Sequence, residues 1–304
     1  MISVCSRIRL IWVVAIPYGW FRSQGTGSLS HSFWGFNLKI SGKKFNPVEK
    51  SLVPDKIMGY KEKMTIIKTD CHPSWDAFLT PDRMSEIREI ERAIGEKEAF
   101  TPPGDSVLRF LRFDLNGLKV CILGQDPYPQ EGAATGRAFE DKRVSGWNKT
   151  GRNASLRNIL KLLHKYRFNA DTVSSLGRVR KDIETGKFNI LEPDQLFDHW
   201  ENQGVLMLNT AFTCKVGSRE VSNSHAPYWA GFTHRLLRFI DAEKPECRWF
   251  LWGKQAQDYA PILGNPDYHF MSDHPSLNSE KEGSFFHENT FGSVRGIHWI
   301  NSGC

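Results

Sequence analysis

The sequence predicts an α/β fold, in which a central sheet of four largely parallel strands lies between helices in a three-layer α/β/α arrangement. Two observations predict it. Short apolar runs recur four times along the chain, and each is followed by a glycine or a polar residue. Segments with apolar residues at helical spacing separate these runs, and strands that alternate with helices form parallel sheets. The carboxyl ends of such strands share one edge, where ligands bind.

The first predicted strand, Leu118–Leu123, leads into a turn that is stiffened by prolines. The other three predicted strands are residues 204–209, 248–253 and 268–272. Asp126 and Tyr128 follow the first strand, on its turn. Asn209 ends the second strand, and His274 follows the fourth. Because polar side chains repeat the same placement at three strand ends, the sequence predicts a polar cleft at the shared edge.

The predicted helices have apolar residues three or four positions apart. One spans residues 81–97, and a short one lies near residues 107–111. A third begins at Ser155, which is its predicted N-cap, and a fourth covers about residues 229–240. Residues 165–195 are polar and weakly periodic, so we interpret them as a variable excursion.

The net charge of +6 does not indicate DNA binding by the main part of the chain. Residues 1–48 contain six basic residues and no acidic ones, so the rest of the chain has equal numbers of each. Attraction to phosphate must therefore come from local patches. The six cysteines are scattered without a CxxC pair, so we expect no metal and no cofactor. They favour a reducing, intracellular setting over a disulfide scaffold.

Residues 1–63 are expected to form a poorly structured basic extension, and residues 64–304 a single folded domain. The apolar run Leu10–Ile16 is too short to cross a bilayer. Three interpretations of the extension stay open: a signal peptide, an organellar transit peptide, or translated upstream sequence with Met58 or Met64 as the true start. The expected location is the cytoplasm, or the nucleus or a mitochondrion if the extension is a targeting segment.

The side chains expected at the sheet edge could cleave a nucleoside bond. The Asp126 carboxylate can orient water and stabilise a sugar that becomes cationic, and a neutral His274 imidazole can donate to the departing base. The Asn209 amide can read the edge of a base, and Phe139 offers a face for stacking. The sequence contains no nucleophile elbow and no Walker phosphate loop. It therefore favours a hydrolase that acts on a nucleoside.

The chain resembles the family-1 uracil-DNA glycosylases from about residue 70 to residue 300. Its Gly124–Tyr128 segment reads GQDPY, the water-activating signature of that family. Further matches follow in the family's order at Phe139, Leu206–Asn209, Asn223–His225, Trp229, Phe232–Thr233, Leu251–Gly253, Ala256–Gln257 and His274–Ser276. GQDPY is quite specific, because related glycosylase families have other residues at this turn. The resemblance implies the uracil-DNA glycosylase fold and the hydrolysis of uracil from DNA, which leaves an abasic site.

The resemblance also implies a role for each matching residue. Asp126 and His274 would be catalytic, the first positioning water and the second donating to the uracil O2. The substrate-binding residues would be Gln125, Tyr128, Phe139 and Asn209. Of these, Asn209 would pair with the uracil edge and reject cytosine, and Phe139 would stack on the base. Tyr128 would exclude the thymine methyl group, which requires a steric clash.

The residues implied to contact the DNA strand are Ser155, Ser276, Leu277 and Asn278. The two serines would hold phosphates so that the nucleotide flips out. Three departures from the family affect this contact. Pro129 replaces a phosphate-binding histidine, and residues 152–154 replace a proline-rich run. The family's wedge leucine aligns with Asn278, while Leu277 lies one residue early. We therefore expect weaker flipping from duplex DNA and a preference for single strands.

The expected partner is uracil-containing DNA, single- or double-stranded, bound by a monomer without a membrane partner. The resemblance also implies proteinaceous inhibitors as partners. Two alternatives stay open, a glycosylase of the same fold for another damaged base and a non-catalytic DNA-binding module. The presence of both Asp126 and His274 argues against the second, because binding alone needs neither. A generic nucleotide hydrolase is disfavoured, since the sequence shows no metal-ligand cluster.

Overall fold

The computed structural model describes residues 70–95, 99–217 and 224–301. The predicted extension over residues 1–63 and the matching residue Asn223 lie outside the described residues. The predicted boundary between the extension and the domain therefore stays a prediction. None of the helices in the described ranges has both the length and the apolar character that crossing a membrane requires.

The described residues contain one large sheet and one small one. In chain order the strands are β1 (Phe100–Thr101), β2 (Val120–Gly124), β3 (Val205–Asn209), β4 (Cys214–Lys215), β5 (Arg248–Trp252) and β6 (His269–Ser272). The large sheet has the order β3-β2-β5-β6, and all its neighbouring strands are parallel. Strands β1 and β4 pair antiparallel as a separate ribbon. The predicted parallel sheet is confirmed, with strand ends that differ from the prediction by one or two residues.

Helices cover both faces of this sheet. They are α1 (Pro81–Gly95), α2 (Ala154–Phe168), α3 (Leu176–Glu184), α4 (Pro193–Asn202), α5 (Ala226–Glu243), α6 (Lys254–Gln257) and α7 (Phe285–Glu288). Alternate residues of β2 enter two different cores. Cys121 and Leu123 pack with α1 and α5, whereas Val120 and Ile122 pack with α2 and α4. A strand buried on both faces reads as a continuous apolar run, which is the pattern that the sequence has here.

The structure differs from the sequence analysis at two places. Near residues 107–111 the chain forms separate 3-10 turns at Gly104–Ser106 and Arg109–Arg112 instead of a helix. The apolar residues there have helical spacing and are all buried, so tertiary packing decides the local backbone over the helical pattern. The supposed excursion at 165–195 contains α3 and the start of α4. Helix α3 buries only two of its residues, so it leaves too short a periodic pattern to detect.

The predicted N-cap of the third helix was also wrong. Asn153 caps α2, and its Oδ1 accepts a hydrogen bond from the backbone N–H of Leu156 at 3.1 Å. Ser155 lies inside the first turn and is 5% exposed. Asparagine is among the strongest N-cap residues, so it competes successfully with a serine two positions later.

Strand register brings the predicted polar residues to one edge of the large sheet. Gly124, at the end of β2, pairs directly with Asn209 at the end of β3. On the other side, Trp252 at the end of β5 pairs with Ser272 at the end of β6. The turns that carry Asp126 and His274 therefore leave the sheet at the same edge.

Candidate active site

The Asp126 carboxylate is half-buried and receives a hydrogen bond from Ser224. The Ser224 hydroxyl donates to Asp126 Oδ1 at 2.6 Å, and its own oxygen accepts from the backbone N–H of Ala226 at 3.1 Å. Burial raises the pKa of Asp126, while the Ser224 hydrogen bond, the neighbouring His225 and a hydrogen bond from Gln125 act in the opposite direction. Ser224 therefore orients the carboxylate and favours its ionised form.

The segment that carries Ser224 is fixed by buried polar contacts at the start of α5. Thr213 Oγ1 lies 3.0 Å from Nδ1 of His225 and accepts from the indole N–H of Trp229 at 2.8 Å. Reasoning from the sequence did not assign Ser224 a role. The signal that could have found it was its place in the matching Asn223–His225 stretch.

Asn209 fits at the end of β3 because its neighbour in β2 is a glycine. A Cβ atom at Gly124 would lie 2.5 Å from Asn209 Oδ1 and 2.7 Å from the Cβ of Ala138. Asn209 itself is 4% exposed. Ala138 is tied to β3 through its N–H, which donates to the carbonyl of Met207 at 3.2 Å. The amide is therefore packed closely against the end of β2.

Phe139 lies beside the other predicted residues in a strained backbone conformation. Its φ angle is 67°, a left-handed value that is uncommon for an aromatic residue and must be held by its surroundings. Its ring centroid is 5.4 Å from that of Trp252 and 6.0 Å from that of His274. The Tyr128 hydroxyl lies 3.3 Å from the Phe139 carbonyl and 3.2 Å from Asn153 Oδ1, so Tyr128 joins this loop to the cap of α2.

A buried ion network anchors the Phe139 loop from behind. The Arg137 guanidinium is 7% exposed and pairs with Glu140 at 3.1 Å and with Asp198 at 2.6 Å. It also forms a hydrogen bond with Glu201, which Arg109 contacts as well. The sequence analysis missed this network, because two of its acids, Asp198 and Glu201, come from α4, 61 and 64 residues further along the chain.

Ser276, two positions further along the chain, determines which ring nitrogen of a neutral His274 carries the proton. Its Nδ1 accepts from the backbone N–H of Ser276 at 3.1 Å and lies 2.8 Å from the Ser276 hydroxyl. Since a backbone N–H can only donate, the neutral ring carries its proton on Nε2. The His274 side chain packs close to Gly253, where a glycine leaves room for it. A Cβ at position 253 would lie 2.9 Å from the Cβ of His274. A cavity of about 320 Å³ opens between these residues, Gln125 and α6.

The predicted DNA-contacting residues occupy different environments. Ser276 is exposed, and Leu277 is 52% exposed. The Asn278 side chain accepts a hydrogen bond from Lys161. Ser155 is almost covered, and its implied phosphate contact stays a prediction. Pro129 is buried, and its carbonyl accepts from Gly217 at 2.9 Å.

Comparison with known proteins decides the family. The sequence model of the Uracil DNA glycosylase superfamily matches residues 111–290. A uracil-DNA glycosylase from Corynebacterium glutamicum is 30% identical over 220 residues, which cover 70% of this chain and 83% of that protein. One from Escherichia coli O1:K1 is 30% identical over 221 residues, which cover 70% and 84%. The chain belongs to this superfamily.

Solved glycosylase structures share the fold of this chain. The UNG structure from Nitratifractor salsuginis superposes with a TM-score of 0.55 at 23% identity, covering 73% of this chain and 91% of that one. The mimivirus uracil-DNA glycosylase gives a TM-score of 0.55 at 19% identity, covering 77% and 87%. The predicted glycosylase fold is confirmed. The protein is an N-glycosyl hydrolase that removes uracil from DNA in base excision repair.

Proposed function

We propose that Asp126 and His274 are the catalytic residues of this glycosylase, which releases free uracil and leaves an abasic site. The observation that carries the proposal is the meeting of Asp126, Asn209, Phe139 and His274 at one edge of the sheet. Three of them come from different strand ends, and their chemistry matches the two charges that develop when a glycosidic bond breaks.

On the sugar side, Asp126 stabilises the positive charge and orients the attacking water. Its ionised form is needed for both tasks, and the Ser224 hydrogen bond favours that form against the effect of burial. The carboxylate is held in place before substrate binds, so little reorganisation is required during the reaction.

On the base side, His274 donates a hydrogen bond from Nε2 to the uracil O2 as negative charge builds there. The Ser276 N–H occupies Nδ1, which fixes both the tautomer and the orientation of the ring. Donation from a neutral imidazole stabilises the uracil anion without requiring a protonated histidine at neutral pH.

The base is selected by contacts on three sides. The Asn209 amide presents a donor and an acceptor to the uracil edge, and Phe139 stacks on the ring. Tyr128 fills the space that a thymine methyl group needs, and Gln125 borders the cavity beside His274. The close packing of Asn209 against Gly124 and the hydrogen bond between Tyr128 and Asn153 support this assignment.

The DNA strand is held on both sides of the flipped nucleotide. Ser155 and Ser276 contact phosphates, and Leu277 enters the base stack in place of the leaving base. Its exposure supports Leu277 rather than Asn278 in that role, because Lys161 already engages the Asn278 side chain. With Pro129 unable to donate to phosphate, we expect the enzyme, acting as a monomer, to prefer single strands over duplexes.

The decisive experiment uses an end-labelled oligonucleotide with one deoxyuridine, single-stranded or paired, in the presence of chelator and followed by alkali. We expect scission at uracil but not at thymine or cytosine, and none with Asp126→Asn. A panel of other damaged bases tests the alternative substrate. Binding of uracil DNA by folded protein without scission would contradict the catalytic assignment.

Two further proposals concern partners and location. Structures of mimivirus UNG variants in complex with UGI support the binding of a proteinaceous inhibitor by this fold. We therefore expect UGI to inhibit scission in a concentration-dependent way. We also propose an intracellular site of action, which buried thiols at Cys121, Cys214 and Cys247 support. Fusion of residues 1–63 to a fluorescent protein tests whether they direct it to an organelle.

A further inference from the structure

The loop that carries His274 is attached to helix α2 by two side chains. We name residues 274–278 the HPSLN loop. Asn158 of α2 is 6% exposed, and its Nδ2 donates to the carbonyls of Pro275 at 2.7 Å and Leu277 at 3.2 Å. Within the loop, the Leu277 N–H donates to the His274 carbonyl at 2.9 Å. The backbone of the loop is therefore fixed up to Leu277.

Lys161 makes the second attachment, one turn beyond Asn158 on α2. Its Nζ donates to Asn278 Oδ1 at 2.8 Å and lies 4.5 Å from the centroid of the Phe286 ring. Part of the ammonium is withdrawn from water by this packing, and burial lowers the pKa of Lys161. The Asn278 side chain is thus directed to α2 by a charge-assisted hydrogen bond.

Between these attachments, Leu277 is the one apolar side chain of the HPSLN loop that is exposed. Its exposed fraction of 52% is the largest among the exposed large apolar residues of the described chain. Exposed apolar side chains such as leucine are the type that DNA-binding proteins insert between base steps. The neighbouring Asn278 aligns directly with the family's wedge position. Its side chain accepts the hydrogen bond from Lys161 instead.

We propose that Lys161 is a positioning residue that sets the register of the HPSLN loop on DNA. By holding Asn278 against α2, it leaves Leu277 as the side chain that enters the duplex. This inference rests on the proposed role of the loop in base flipping. The wedge is needed only where a base must leave a stacked pair, so Lys161 should affect duplex DNA far more than single strands.

The test compares single-turnover rates of uracil release from single-stranded and duplex oligonucleotides of the same sequence. Lys161→Met should lower the ratio of duplex to single-strand rates by about tenfold, the effect of losing one charge-assisted hydrogen bond. Asn278→Ala should lower it equally, and the double variant no further, because both changes remove the same contact. Lys165→Met is the matched control, since Lys165 lies on the same helix and contacts the Phe286 carbonyl instead.

Fluorescence of 2-aminopurine next to the deoxyuridine reports flipping directly and should fall in parallel with the duplex rate. An unchanged rate ratio in Lys161→Met would overturn the inference. An equal loss on both substrates would also overturn it, because Lys161 would then support the catalytic histidine rather than the wedge. If Leu277→Ala leaves the ratio unchanged, the wedge role itself is wrong, whereas scission of single strands still tests the glycosylase assignment separately.

Discussion

The Ser224 hydroxyl donates a 2.6 Å hydrogen bond to the Asp126 carboxylate, although the two residues lie 98 positions apart in the sequence. The direction of donation is fixed because an ionised carboxylate can only accept, and the Ser224 oxygen also accepts from the Ala226 N–H at the start of α5. Helix α5 is buried along one face against the sheet. The orientation of the carboxylate is therefore set by the packing of a whole helix rather than by its own turn.

Ser224→Ala should shift the acid side of the pH–rate profile to higher pH. The hydrogen bond from Ser224 lowers the pKa of Asp126, so its removal raises that pKa further. If ionised Asp126 is the active form, a larger fraction of the variant enzyme is protonated and inactive at any acidic pH. At neutral pH we expect a rate loss of about tenfold from the lost orientation. Ser224→Thr keeps a hydroxyl and should restore the profile, and an unshifted acid limb in the alanine variant would contradict the assignment.

Asp126→Asn should remove most of the activity and at the same time stabilise the protein. Burial raises the pKa of Asp126 in the folded state, so above the ordinary carboxyl pKa ionisation costs the folded state more than the unfolded one. The amide avoids this cost, and the rate should fall by about 10²- to 10⁴-fold. We expect a higher Tm at pH 7 and the same Tm as the parent protein well below the ordinary carboxyl pKa. A lower Tm of Asp126→Asn at pH 7 would contradict the expectation that ionised Asp126 destabilises the folded state.

The sequence predicted the strands well because they depend on local patterns. A strand such as β2 is buried on both faces, so it appears as one apolar run with a clear end. The parallel topology then brings Asp126, Asn209 and His274 to one edge, wherever the intervening helices lie. The fold class therefore groups these strand-end residues, whereas Phe139 is placed by its loop and cannot be located in this way.

The missed ion network and the missed role of Ser224 depend on contacts between distant segments. Arg137 reads as a surface residue in its loop, and two of its acid partners, Asp198 and Glu201, lie 61 and 64 residues further along the chain on α4. Ser224 reads as a turn residue until α5 is placed against the sheet. The cap of α2 was misassigned by two residues, because Asn153 and Ser155 are both strong N-cap types and only the backbone decides between them.

Gly124→Ala should impair uracil binding without preventing folding of the rest of the sheet. The new Cβ would lie 2.5 Å from Asn209 Oδ1, so the amide must move. A displacement of this kind costs about 10²-fold in kcat/KM, and inhibition by free uracil should weaken with it. Gly117→Ala is the control, because nothing lies within 4 Å of a Cβ at that position. Equal kcat/KM values for the two variants would show that the approach of Gly124 to Asn209 is not required.

Tyr128→Ala should allow the enzyme to release thymine from single-stranded DNA. Removal of the ring empties the space that excludes the methyl group, while Asn209 still recognises the common edge of both pyrimidines. Tyr128→Phe keeps the ring and loses only the hydroxyl contacts to Phe139 and Asn153, so it should still reject thymine. Thymine release is measured with a matched oligonucleotide followed by alkali. Continued rejection of thymine by the alanine variant would assign methyl exclusion to another residue.

Arg137→Met should destabilise the protein and loosen the Phe139 loop. The Arg137 side chain is 7% exposed, and its removal takes the ion-pair partner away from Glu140, which is 11% exposed, while Glu201 keeps its contact with Arg109. Breaking a buried ion pair from one side costs about 3–5 kcal/mol in the free energy of unfolding. By contrast, Arg83→Met removes a more exposed pair on α1, with side chains 27% and 19% exposed, and should cost less than about 1 kcal/mol. Urea unfolding measures both. Equal free energies of unfolding for the two variants would show that the network does not anchor the loop. If only Arg137→Met is destabilised, this variant should also be inhibited less by free uracil, because the strained backbone of Phe139 is no longer held in place.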